Sequence, residues 1–106
     1  MSDAEVLARL GSTIAERLRA DPKSSYVASL AAKGQDAILR KLLEEATETL
    51  LASKEGDKLH LVRETADLWF HSMVLLAWHG ARLEDVLAEL ARREGTSGIE
   101  EKKSRS

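Results

Sequence analysis

The segment from Asp57 to Gly80 constrains the fold most, because it reads as a helix with apolar residues on nearly every side that nevertheless carries three polar groups on one stripe. Leu61, Val62, Leu68, Trp69, Phe70, Met73, Val74 and Leu75 through Trp78 surround it almost completely, so it is expected to be buried on most sides. Glu64, Asp67 and His71 share the remaining stripe, since residues three and four apart on a helix face the same way. Burying an ionised carboxylate without a partner costs roughly several kcal/mol, a large part of a small domain's stability. These acids must therefore be paired, protonated or bound to a metal.

The preceding helical stretch carries a second such pair, Glu45 with Glu48, flanked by Glu44 and Lys41. Along it Ile38, Leu39, Leu42, Leu43, Ala46 and Leu50 form one broad apolar arc with Glu45 at its edge. A short turn at Gly56-Asp57 makes the two helices antiparallel neighbours and sets Glu45 and Glu48 opposite Glu64 and Asp67. The plain alternative is ordinary pairing, with Lys41 reaching Glu44 and Glu45 and with Arg40 and Arg63 serving the other acids. Against it, acids face acids across the turn. A cluster of oxygen donors in a chain without cysteine favours Mg²⁺ or Mn²⁺ over Zn²⁺.

The rest of the chain is also helical in pattern. Ser2 and Glu5 fit a capping box ahead of Val6, Leu7, Leu10, Ile14 and Leu18, with a stop at Asp21-Pro22. Ser24 or Ser25 starts a short second helix through Leu30 that ends at Gly34, and a fifth runs from about Leu83 to Arg93 before Gly95. No stretch alternates with period two, so no strand is expected. The fold class is all-α, a four- to five-helix bundle occupying residues 1–95. Residues 96–106, polar and rich in Glu and Lys, are expected to be a disordered tail.

With 106 residues the chain is the size of one domain. A net charge of −2 gives no general attraction to nucleic acid or anionic lipid. The most apolar stretch, Leu68 to Trp78, is about half the length that crosses a bilayer, and Met1 to Val6 does not resemble a secretory signal. Cytoplasm is the default, with no nucleic-acid or membrane partner expected. No glycine-rich phosphate loop is present.

Ser25-Tyr26, Leu30, Lys33-Gly34, Lys41, Glu44-Glu45-Ala46-Thr47-Glu48 and Glu64-Thr65-Ala66-Asp67-Leu68 together resemble the phosphoribosyl-ATP pyrophosphohydrolases of histidine biosynthesis, within the MazG-like all-helical nucleotide pyrophosphohydrolases. The resemblance covers about Ser24 to Gly95. It implies a MazG-like fold completed by a homodimer, and hydrolysis of phosphoribosyl-ATP to phosphoribosyl-AMP and pyrophosphate with Mg²⁺, Mn²⁺ being a possible substitute. On this reading Glu45, Glu48, Glu64 and Asp67 hold the metal, Glu44 or Glu45 takes the proton of the attacking water, and Lys33 and Lys41 contact phosphate. Tyr26 serves as a base or entry-site contact, or packs against the core. His71 either orients a carboxylate or sits at a subunit interface, while His60 and His79, at helix ends, are solvated. Two other readings remain open: a housekeeping (deoxy)nucleoside triphosphate pyrophosphatase of the same group, and a non-catalytic helical dimerisation module.

Overall fold

A computed structural model describes residues 2–105. The expectations that touch Met1 and Ser106 lie outside the described residues. The chain forms α1 (Asp3–Arg17), α2 (Tyr26–Ala32), α3 (Gln35–Glu55), α4 (Lys58–Trp78), α5 (Leu83–Arg92) and α6 (Gly98–Arg105), with no strand among the described residues.

Local chemistry starts and stops these helices where the sequence places its caps. The Ser2 and Ser25 hydroxyls accept from the backbone N–H of Glu5 at 3.3 Å and of Ala28 at 3.2 Å. Asp57 Oδ1 accepts from the N–H groups of Leu59 at 3.1 Å and His60 at 3.2 Å, satisfying two of the donors a helix N-terminus leaves free. Between α3 and α4 the chain must reverse within two residues. Gly56 does so at φ 75°, a left-handed conformation that costs a side-chain-bearing residue about 1 kcal/mol or more.

The long helices α3 and α4 form the dominant interface of the molecule, and α1, α2 and α5 pack around one end of that hairpin. The core there consists of Ile14, Val27, Leu30, Ile38, Met73 and Val74. Glu45 sits along the hairpin, and Ala52 closes it near the turn.

Three sequence expectations are corrected. Helix α4 is not buried on most sides: only His71, Met73 and Val74 are buried, while Leu59, Val62 and Trp69 (59% exposed) face outward. The apolar arc of α3 is likewise only partly covered: Ile38 is in the core, but Leu43 is 70% exposed and Leu39 and Leu50 are also exposed. Two 21-residue helices carry more apolar surface than three shorter ones can cover. The third correction concerns the tail and the helix count. Residues 98–105 form a sixth helix, anchored by the buried Glu101 carboxylate, which is paired with Arg92, Arg105 at 3.4 Å and Arg93 at 3.9 Å.

Candidate metal centre

Facing positions of α3 and α4 bring Glu45, Glu48 and Glu64 together, with one oxygen from each within 4.8 Å of the others. Glu45 is 7% exposed, Glu64 is half-buried, and Glu48 opens to solvent. No lysine or arginine side chain pairs with any of the three among the described residues. Lys41 goes instead to Glu44, at 3.4 Å, and that hydrogen bond raises the lysine's pKa above its ordinary value. Arg40 and Arg63 are not recruited either, so pairing with lysine or arginine does not account for the cluster.

Two oxygens state the imbalance directly. Glu45 Oε2 and Glu64 Oε2 are buried and have no hydrogen-bond partner among the described residues. A buried polar atom left so costs about 1–3 kcal/mol, and more when charged. As carboxylates, Glu48 and Glu64 have no proton to offer each other. The hydrogen bond to Glu64 that Glu48 would gain on taking up a proton, together with the negative charge of Glu64, raises the Glu48 pKa above its ordinary 4.5. The donor set fits a hard divalent cation: all oxygen, anionic, partly desolvated, and open to solvent on the Glu48 side.

Asp67 lies outside this group of three. One helical turn beyond Glu64, it is exposed, and its backbone carbonyl accepts the Nδ1 proton of His71 at 2.8 Å. Its carboxylate still bears on the neighbourhood, being among the charges acting on Tyr26. Lys33 caps the C-terminus of α2, exposed and without an ion pair to these acids among the described residues. Lys41 and Glu44 both act electrostatically on Tyr26 and on Glu48.

Histidine placement differs from the sequence reading. His71 is 6% exposed within this single chain, so no second subunit is needed to bury it. His60 is not merely solvated: Nε2 lies 3.3 Å from Glu64 Oε1, and Nδ1 lies 3.4 Å from Glu55 Oε2. The i,i+4 spacing of His60 and Glu64 was available as a signal. His79 is exposed, as expected.

Tyr26 opens α2 and turns its hydroxyl toward His71 Nε2, at 2.7 Å. Burial raises the phenol pKa; Lys41 opposes that rise, while Glu45, Glu44 and Asp67 add to it.

The phosphoribosyl-ATP pyrophosphohydrolase family matches residues 7–94. The chain belongs to this family. Relatives named phosphoribosyl-ATP pyrophosphatase include those of Azoarcus sp., 63% identical over 99% of this chain and 98% of the relative, and Aromatoleum aromaticum, 61% identical over 100% and 98%. That of Chromobacterium violaceum is 64% identical over 95% of this chain and 94% of its own length. The family match runs from within α1 through α5 and stops before α6.

Proposed function

We propose that the protein hydrolyses phosphoribosyl-ATP to phosphoribosyl-AMP and pyrophosphate, the second step of histidine biosynthesis, at the Glu45–Glu48–Glu64 cluster with Mg²⁺. The observation that carries the site assignment is the pair of buried carboxylate oxygens with no partner, in a family whose substrate is a triphosphate. Glu45, Glu48 and Glu64 would hold the cation, with Asp67 joining from the next turn, and Mn²⁺ offers the same coordination preference. A bound ion supplies Lewis acidity to the phosphate oxygens.

This chain's own residues do the rest. Water attacks the α-phosphorus, an O–P bond forms, the bridge to the β-phosphate breaks, and the departing electron pair leaves on pyrophosphate. The water's proton goes to a carboxylate. Of the two candidates, Glu45 is committed to the cluster, whereas Glu44 stands beside it with its carboxylate held by Lys41. A carboxylate not engaged in coordination is free to accept that proton, so Glu44 is the base proposed here. Lys41 and Lys33 supply point charges to the outer phosphates.

A second copy of the chain covers the outward apolar faces of α3 and α4. Among the described residues no helix is long and apolar enough to cross a membrane, and a homodimer fits such a surface; the cytoplasm is the proposed location. Incubation of the protein and Mg²⁺ with phosphoribosyl-ATP and a panel of deoxynucleoside triphosphates tests the activity. Preferential release of pyrophosphate from phosphoribosyl-ATP is expected; turnover of the deoxynucleotides alone would overturn the substrate assignment, and turnover of nothing would leave a helical module.

A further inference from the structure

Tyr26 is oriented against the habit of its residue type. A tyrosine normally buries its ring and leaves the hydroxyl in water. Here the hydroxyl points inward to a buried imidazole, while the residue as a whole stays 50% exposed. The ring touches α4 through two aromatic neighbours, Phe70 at 6.4 Å and tilted 32°, and His71 at 5.8 Å and 87°. Packing alone would be better served by the reverse orientation.

His71 explains how that orientation is kept. Its Nδ1 faces the Asp67 carbonyl, an acceptor only, and therefore carries a proton and donates at 2.8 Å. In the neutral ring Nε2 then holds a lone pair, which accepts the Tyr26 hydroxyl at 2.7 Å. Glu45 Oε1, at 3.9 Å from Nδ1, is too far for a hydrogen bond, so the carboxylate remains available to the cluster. Each ring nitrogen of His71 has one protein partner, and neither partner is a substrate atom.

Building on the phosphoribosyl-ATP reading, we propose that His71 is a positioning residue that fixes Tyr26 upright at the rim of the carboxylate cluster, presenting its open ring face as a stacking surface for a nucleobase of the substrate. A base stacked on an aromatic side chain is held whatever its identity, because every base has a π-face. The ring contributes this only if it is already held where the polyphosphate enters the cluster. His71 acts through Tyr26 and does not touch the reacting atoms.

Steady-state kinetics of the full-length protein with phosphoribosyl-ATP and Mg²⁺ test the pairing through four variants: Tyr26→Phe, His71→Asn, the double variant, and His71→Gln. Tyr26→Phe removes one hydroxyl, and His71→Asn keeps the donor to the Asp67 carbonyl while losing the acceptor for Tyr26. Each is expected to raise KM about five- to tenfold with kcat within about twofold. The double variant should match either single one, because both break the same bond. His71→Gln, whose amide oxygen can accept the Tyr26 hydroxyl, should return KM to within about twofold of wild type. Unchanged KM in Tyr26→Phe overturns the proposal even if the His71 variants fold poorly. Additive effects in the double variant, or kcat falling at constant KM, also overturn it and indicate a structural role. If the wild type turns over phosphoribosyl-ATP, these outcomes bear on the positioning role alone. An inert wild type removes the activity reading, and the stacking role with it.

Discussion

At the scale of single residues, the molecule concentrates uncompensated negative charge at one place. Replacing Glu48 or Glu64 by Gln should reduce Mg²⁺-dependent turnover by about 100-fold or more, as removal of a metal ligand from a phosphoryl-transfer site would. The same variants should keep their helical circular dichroism, and their metal-free melting temperature should stay level or rise, because like charges are separated. The pH dependence has a definite sign. Glu48 has a folded pKa above its unfolded 4.5, so the folded state binds more protons between those two values. Its contribution to metal-free stability is fully present below 4.5 and is lost as pH rises through the folded value. Thermal melts in chelator across mildly acidic pH should show this decline, and added Mg²⁺ should offset it. Much of this was legible: the i,i+3 acids on two adjoining helices already implied the cluster. Two things were not. Asp67 is exposed one turn beyond Glu64, and its i,i+3 spacing is the same as that of Glu45 and Glu48, so spacing alone could not separate the member from the outlier; nor does any pattern of spacing reveal that the His71 side chain points inward at a tyrosine 45 residues away.

Among the helices, those whose ends rest on local chemistry were readable and the one held by tertiary contacts was not. Ser2, Ser25, Asp57 and Gly56 mark boundaries through bonds to residues two or three positions away. Helix α6 has no apolar face to betray it; it depends on Glu101 meeting Arg92, nine residues earlier, together with Arg93 and Arg105. Periodicity also located apolar faces without saying what would cover them, which is why the outward turn of part of the α3 arc and of Trp69 was missed. Glu101→Gln should loosen α6, so that its amides exchange about five- to tenfold faster, equivalent to about 1 kcal/mol of local stability. Turnover and protection of α3 and α4 should be unchanged, which hydrogen-exchange mass spectrometry and an activity assay can establish together. The neighbouring Glu89 is held at about 2 by hydrogen bonds from Arg92 and Arg93. With a folded pKa depressed below 4.5, it stabilises above that value and ceases to do so as pH falls through about 2. The α5–α6 segment should therefore loosen in strong acid, opposite in direction to the effect of Glu48.

The whole molecule presents more apolar surface than a lone chain would keep in water. Trp69 of α4 and Val86, Leu87 and Leu90 of α5 line a groove of about 480 Å³ between the two helices, and Leu43, Leu50 and Val62 mark another outward face. If a second copy covers the groove, the pair Trp69→Lys and Leu90→Glu should convert a sedimenting dimer into a monomer. The activity rests on one physical condition, that acidic side chains gathered between two helices are balanced by a divalent cation. Titration calorimetry of the wild-type protein with Mg²⁺, run beside Glu45→Gln, addresses that condition directly. Saturable heat in the wild type that disappears in Glu45→Gln is the predicted result; an absence of heat in both, with and without nucleotide, would contradict it.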